Sequence, residues 1–139
     1  MSSSADQITY PSGCRVVGLG AMNADDASDA GGSSGGLHRG TSVSAAGVWM
    51  GTSVLPAGHD SVLHHHDGQT TIVCIISGSM RFLVNGPDGQ EDFIAGAGEI
   101  AVIPGGLVHR EQNTGDVDCV CVVVRDSEQP TVVNVDTPS

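Results

Sequence analysis

Short stretches rich in Val and Ile, each ended within a few residues by Gly, Pro, Asp or Asn, run through most of the sequence and limit its possible folds. No stretch keeps apolar residues at a helical period over three turns. β-Branched side chains are stiff at χ1 and suit pleated strands. Many short strands without alternating helices are typical of an antiparallel sandwich or barrel. The sequence therefore predicts an all-β domain.

Turn residues set the limits of the predicted strands. The longest strand contains a break at Gly47, and residues 85–89 read Asn-Gly-Pro-Asp-Gly, which predicts a hairpin loop. The predicted strands are residues 15–19, 42–55, 61–66, 71–76, 80–84, 91–94, 100–103, 108–112, 117–124 and 131–135.

The chain has 139 residues, enough for one hydrophobic core and one domain. We expect that domain at residues 13–135, after a flexible N-terminus (1–12) and before a short tail (136–139). Residues 25–36 read DDASDAGGSSGG, the composition of a flexible loop or lid. The cysteines form no Cys-x-x-Cys pair, and most lie in Val/Ile-rich runs, so we interpret them as small buried hydrophobes.

The chain is strongly acidic, with 16 acidic residues, five Arg, no Lys and a formal net charge of -11. Such a surface repels nucleic-acid phosphates and anionic lipid headgroups, so neither nucleic acid nor a membrane is expected as a partner. No apolar run approaches the roughly 20 residues of a membrane-spanning helix. The Ser-rich N-terminus lacks the basic and apolar regions of a signal peptide. These features predict a cytoplasmic protein.

Three consecutive histidines lie near the end of a predicted strand. Because side chains alternate between the two faces of a strand, His64 and His66 point the same way, with Cβ atoms roughly 6–7 Å apart, while His65 points oppositely. His109 follows the turn at residues 104–106 and would add a third imidazole if the sheet folds over. Imidazoles suit divalent transition metals. The competing interpretation of an isolated His tract is a solvated strand end.

The residues around these histidines resemble the two sequence motifs of the cupin family. The first motif has the pattern G-x5-H-x-H-x3,4-E-x6-G, and this chain matches it at residues 58–78 with Gly58, His64, His66 and Gly78. The second has the pattern G-x5-P-x-G-x2-H-x3-N, and residues 98–113 match its fixed positions with Gly98, Pro104, Gly106, His109 and Asn113. The motif glycines are interpreted as turn residues with positive φ.

The resemblance covers residues 48–124 and implies a double-stranded β-helix, also called a cupin or jelly-roll barrel. It implies one divalent metal ion bound by His64, His66 and His109. It also implies a homodimer, for which residues 15–19 or 42–55 are candidate exchange strands at a sheet edge.

The Glu ligand of the first cupin motif is missing from this chain. Counting back from Gly78 puts its position at Thr71, and counting forward from His66 allows Thr70 or Thr71. A Thr hydroxyl is a poor ligand for such an ion. Gln69 is the candidate fourth ligand, by loose analogy with cupins in which Gln takes the Glu place, and the sequence leaves the choice among these three residues open. Three neutral imidazoles would leave the charge of the ion uncompensated, which favours an anionic or enolate-like substrate.

Two further residues are candidates for a role in the site. Glu111 shares a strand face with His109 and is a candidate general base or partner of an imidazole N–H, although a wet position at the barrel mouth is the commoner case. Arg81 lies on a predicted strand and is a candidate for binding a substrate carboxylate, although Arg is commoner on the outer face of a sheet.

The predicted function is that of a metal-dependent enzyme acting on a small molecule. Sites with three His and no Glu resemble those of thiol and diketone dioxygenases, which favours an Fe²⁺-dependent dioxygenase acting on a small organic acid or aromatic metabolite. The alternatives are a lyase, cyclase or isomerase of a biosynthetic pathway, a non-catalytic metal-containing binding module, and a metal-free epimerase-type cupin. Mn, Ni, Co, Cu and Zn also suit the ligands, so the sequence leaves the metal, the substrate and the reaction class open.

Overall fold

Antiparallel strands form the regular secondary structure of the computed structural model, which describes residues 7–18, 28–29 and 38–135. No helix occurs in these ranges, and so none that is long and apolar enough to cross a membrane. In chain order the strands are β1 (Gln7–Thr9), β2 (Arg15–Val17), β3 (Ser28–Asp29), β4 (His38–Ala45), β5 (Val48–Leu55), β6 (His64–His65), β7 (Thr71–Ser77), β8 (Ser79–Gly86), β9 (Gly89–Gly96), β10 (Ile100–Ile103), β11 (His109–Gln112), β12 (Cys119–Arg125) and β13 (Val133–Asn134).

Two sheets enclose one hydrophobic core. The larger has the strand order β10-β7-β12-β5-β4-β3, and the smaller has the order β13-β6-β11-β8-β9. The core joins side chains from both sheets, such as Val73 and Ile75 of the first with Met80 and Phe82 of the second. Burying one face of each strand in this way produces the alternation seen in β10, where Ala101 and Ile103 are buried between exposed neighbours. The predicted all-β jelly-roll fold is confirmed.

Turn residues and apolar runs in the sequence predicted the ends of several strands correctly. The predicted strand 100–103 is β10 to the residue, and the predicted break at Gly47 separates β4 from β5. The predicted hairpin closes tightly, because Gly86 pairs with Gly89 across two turn residues. The prediction of an edge strand within residues 42–55 is wrong for β5, which lies between β12 and β4 because it is apolar enough to be buried in the interior of a sheet.

The segments predicted to be flexible are described only in part. Of residues 25–36 the structure describes Ser28–Asp29, which pairs with β4, and the rest lies outside the described residues, as does the tail at 136–139. At the N-terminus, Gln7–Thr9 pairs with Arg15–Val17 in a separate two-stranded sheet.

The motif glycines provide turn conformations, as predicted. Gly58, Gly78, Gly98 and Gly106 have φ values of 74°, 78°, 86° and 82°. Space is a second constraint at Gly78, where a Cβ atom would lie 2.6 Å from the backbone oxygen of Asp118. This turn therefore needs glycine both for its left-handed conformation and for its close approach to the neighbouring chain. It fixes the end of β7 against the start of β12.

Candidate metal centre

The fold brings three histidines that are distant in sequence to one buried point. His64 of β6 pairs directly with His109 of β11, and His66 follows two residues after His64. The three rings are buried, with centroids 4.5–5.1 Å apart. Their ligand atoms lie within 4.8 Å of one another, so one ion between them could contact all three. His65 turns away as predicted, and its Nδ1 accepts the backbone N–H of Asp67.

The backbone fixes which nitrogen of each ring faces inward. Nδ1 of His64, His66 and His109 lies 2.6, 2.9 and 2.9 Å from the carbonyl oxygens of Val62, Thr131 and Leu107. A carbonyl oxygen only accepts hydrogen bonds, so each Nδ1 carries a proton, and in the neutral form of each ring Nε2 keeps its lone pair. Nε2 of His109 is buried and, among the described residues, accepts no hydrogen bond, and its nearest polar neighbour is the Glu111 carboxylate at 3.3 Å. Such a set of oriented lone pairs fits a divalent metal ion.

Glu111 lies against two of these nitrogens. It follows His109 on the same face of β11, and its carboxylate oxygens lie 3.6 Å from Nε2 of His64 and 3.3 Å from Nε2 of His109. Ser61 holds the residue at both ends: its hydroxyl donates to Oε2 of Glu111 at 2.7 Å and accepts the Glu111 backbone N–H at 2.9 Å. The carboxylate is buried, which excludes the wet position at the barrel mouth.

The surroundings of the three imidazoles shift their pKa values in different directions. Burial, reinforced by the Arg125 charge, lowers the pKa of His66 to about 3. Burial also lowers the pKa of His64. Burial acts the same way on His109, but contact with the Glu111 carboxylate outweighs it and raises the pKa of His109. The same contact lowers the pKa of Glu111 against the effect of its own burial. Two imidazoles are thus held neutral, as metal ligands must be, and the third shares a charge pair with Glu111.

The structure does not bring Gln69 to the histidines. The chain turns at Asp67, which has a φ of 56°, and this turn carries Gln69 towards the segment before β13. There its amide oxygen accepts the Thr131 N–H at 3.1 Å, and its amide nitrogen donates to the Gln129 carbonyl at 3.0 Å. Both ends of the amide are used to hold two loops together. A small cavity lies beside His64 and His66. Thr71, at the position of the Glu that is missing from the first cupin motif, lines this cavity.

Arg81 also lies away from the histidines. Its neighbours Met80 and Phe82 point into the core, so alternation turns Arg81 to the outer face of β8. Its guanidinium pairs there with Asp92 of β9, and its Nε lies 2.8 Å from Oδ1 of that residue. This pairing corrects the expectation of a carboxylate-binding role, because the group is exposed and already has an acidic partner.

A different arginine reaches the cavity. Arg125, at the end of β12, is buried, and its Nε donates to Oγ1 of Thr71 at 3.0 Å. Its Nη2 lies 3.4 Å from Nε2 of His66. The cavity has a volume of about 30 Å³ and is lined by polar and apolar side chains, among them Arg39, Trp49, Cys121 and Glu111. Burial raises the pKa of the Cys121 thiol, so that residue stays protonated and apolar in character.

Comparison with known proteins gives a family and several similar structures. The family model described as Cupin domain matches residues 51–125. A germin-like protein of Oryza sativa subsp. japonica is 32% identical over 75 residues, which are 52% of this chain and 34% of that protein. The structure of an oxalate oxidase in complex with the substrate analogue glycolate superimposes with a TM-score of 0.64 and 27% identity, over 72% of this chain and 55% of that one.

More distant structures share the fold. Oxalate decarboxylase from Bacillus subtilis, an enzyme with Mn(II) centres, superimposes with a TM-score of 0.66 and 20% identity, over 73% of this chain and 29% of that chain. The present chain therefore spans about a third to just over half of the relatives described here. The likeness to the decarboxylase concerns the barrel alone.

Proposed function

The chain belongs to the cupin family, and on that premise we propose that it is a metal-dependent enzyme whose one ion is bound by His64, His66 and His109. The observation that carries the proposal is the convergence of three Nε2 lone pairs, each fixed by a backbone carbonyl on the opposite nitrogen. When bound, the ion would supply Lewis-acid or redox chemistry at this point.

Glu111 is proposed as the catalytic carboxylate of the site. It is the one acidic residue among the described residues that line the cavity, and Ser61 fixes its orientation. It lies close enough to Nε2 of His64 and His109 to share their ion as a further ligand, or to take a proton from a substrate bound there. In this arrangement the carboxylate missing from the first motif is supplied by the strand of the second.

The substrate is proposed to be a small organic acid, and the reaction an oxidation that consumes dioxygen. The likeness to an oxalate oxidase that binds glycolate supports a small acid. The cavity of about 30 Å³ has room for groups the size of a few waters, which disfavours an aromatic metabolite. A mixed set of nitrogen and carboxylate oxygen ligands suits Fe²⁺, the predicted ion, and Mn²⁺ equally.

Metal loading followed by oxygen uptake tests this function. We expect the protein to bind one Fe²⁺ or Mn²⁺ per chain, and the loaded protein to consume oxygen when a small acid such as glycolate or oxalate is added. Glu111→Gln keeps the shape of the side chain but removes its charge. It should lower metal affinity about 10–100-fold and abolish turnover. Elemental analysis and an oxygen electrode make the measurement.

The outcomes of that experiment separate the alternatives. Protein that binds the ion and the acid but never consumes oxygen or converts the acid would be a binding module. Conversion of the acid without oxygen uptake would indicate a lyase or isomerase. A chain that takes up no stoichiometric metal would contradict the proposed function altogether.

A homodimer is proposed from the outer face of the larger sheet. Side chains that point away from the core on three strands of the larger sheet, β5, β7 and β10, are exposed and apolar, in a chain of net charge -11. They are Met50, Ile72, Ile76, Ile100 and Val102. An uncharged face on a strongly acidic protein suits a second copy placed across a two-fold axis, because like charges then stay at the rim. Light scattering should give the mass of two chains, and Val102→Glu should give the mass of one. A monomeric wild-type protein would contradict this assembly.

A further inference from the structure

Arg125 is a buried cation without an ion-pair partner among the described residues. The residue is more than nine-tenths buried, at 7% exposure, and its Nη1 atom has no hydrogen-bond partner in the described part of the chain. We propose that Arg125 binds the carboxylate of the substrate, so that the acid lies between this guanidinium and the ion on the histidines. This inference rests on the proposed function and identifies the residue that would select an acid.

The contacts of Arg125 show which of its donors are left for a ligand. Nε is used by the hydroxyl of Thr71, and Nη2 faces Nε2 of His66 at 3.4 Å. Nη1 is buried in the same cavity wall with its N–H groups unsatisfied. Leaving a charged donor buried without an acceptor costs more free energy than leaving a neutral one. A carboxylate beside the fork would accept from the free donors in the geometry that guanidinium favours.

The departure from the family motif explains why the carboxylate would come from outside. A Glu at position 71 would place an acid within reach of both Arg125 and the ion, and the charges would be balanced inside the protein. With Thr71 in that place, the hydroxyl orients the guanidinium but carries no charge. The carboxylate of Glu111 faces His64 and His109, whereas Arg125 contacts His66. Within the part of the chain that the structure describes, Arg125 therefore has no carboxylate in direct contact, and Glu111 is the one acidic side chain elsewhere in the cavity.

Electrostatics make this side selective for anions. The guanidinium lies beside the nitrogen that would hold the ion, so two positive charges repel one another unless an anion lies between them. Arg39 and Arg125 both pack over the Trp49 ring, 5.4 Å from its centroid, which keeps Arg125 in place. Burial and the neighbouring Arg39 charge lower the pKa of Arg125 to about 10, so the group remains charged at neutral pH.

Calorimetric titration of glycolate into metal-loaded protein tests this assignment. Zn²⁺ is used because it does not turn over, and its stoichiometry is measured first. Arg125→Gln is expected to keep the ion but to weaken glycolate binding about 10–100-fold, which corresponds to the loss of one hydrogen bond to a charged group. Arg125→Lys keeps the charge but loses the planar fork, and should fall between the two. Arg81→Gln is the matched control, because the Arg81 guanidinium pairs with Asp92 on the outer face of the sheet. The affinity of this variant for glycolate should equal that of the wild type.

Failure of the inference and failure of the proposed function give different results. Wild-type protein that takes up Zn²⁺, combined with an unchanged glycolate affinity in Arg125→Gln, would overturn the role of Arg125 and leave the metal centre standing. If Arg125→Gln does not fold, Arg125→Lys decides, since an affinity equal to that of the wild type would show that the fork is not used. Wild-type protein that takes up no Zn²⁺ would overturn the proposed function, and with it an acid held between arginine and ion.

Discussion

Replacing His109 by alanine is expected to remove the bound ion from the protein. His109 contributes one of three Nε2 atoms, and the two that remain, from His64 and His66, cannot enclose an ion by themselves. Loss of a direct ligand should exceed the roughly 10–100-fold loss of affinity that follows loss of a supporting contact to a ligand. Elemental analysis after gel filtration, and competition with a chromophoric chelator, measure the affinity.

A neighbouring histidine provides the control. His65 lies between two of the proposed ligands in sequence but faces the other way, with its ring nitrogen bound to the backbone N–H of Asp67. His65→Ala should therefore keep a full equivalent of metal. Because His109→Ala also removes the nearer of the two imidazoles beside the buried Glu111, His109→Gln is a second variant that keeps a polar group there. Equal metal content in the His109 and His65 variants would rule out the three-histidine site.

The positions of the histidines could be predicted because they depend on local rules. Strand alternation alone puts His64 and His66 on one face, and the motif spacing brings His109 to the same place. The structure agrees, with β6 and β11 paired at His64 and His109. Turn chemistry was equally local, since each motif glycine has the positive φ that its turn requires, whereas the close approach of Gly78 to Asp118 could not be predicted from the sequence. Neighbouring residues decide the strand alternation and the turns, whereas the place of His109 was implied by the resemblance to the cupin motifs.

The fourth-ligand prediction failed for a reason that spacing cannot show. Gln69 lies one residue before the first of the two positions that the motif spacing allows, and the left-handed turn at Asp67 redirects the chain after β6. The side-chain amide of Gln69 binds the backbone of Gln129 and Thr131, which lie in a loop some sixty residues later in the chain. Such a contact follows from the packing of two loops and leaves no local trace in the sequence.

The different positions of Arg81 and Arg125 could have been predicted from the alternation of apolar residues along their strands. Arg81 alternates with Met80 and Phe82, so the pattern already placed it on the outer face of β8. On β12 the inward positions are Cys119, Cys121, Val123 and Arg125. Arg125 is thus the one charged side chain on an otherwise apolar stripe, which is a position that needs a partner or a function. Strand alternation applied to both β8 and β12 would have predicted Arg125, and not Arg81, as the arginine of the site.

Acidification is expected to weaken metal binding as if about one proton, rather than three, competes with the ion. A metal ion competes with protons for the three Nε2 atoms. The pKa of His66 is lowered to about 3, so this ring stays neutral without the ion in mildly acidic solution, and the lowered pKa of His64 makes that ring harder to protonate than an ordinary imidazole. The pKa of His109 is raised by Glu111, so this ring takes up the competing proton first. Affinity should be full above the pKa of His109 and fall about tenfold per pH unit below it.

Three imidazoles with ordinary pKa values would instead lose affinity about a thousandfold per pH unit below their common pKa near 6.5. Chelator competition between about pH 8 and pH 5 distinguishes the two slopes, and calorimetry in buffers of different ionisation enthalpy counts the protons released. Glu111→Gln removes the charge that raises the pKa of His109, so in this variant the decline should begin at a lower pH even though the affinity at neutral pH is weaker. A release of nearly three protons per ion by the wild type at mildly acidic pH would mean that burial and Arg125 do not keep His64 and His66 neutral.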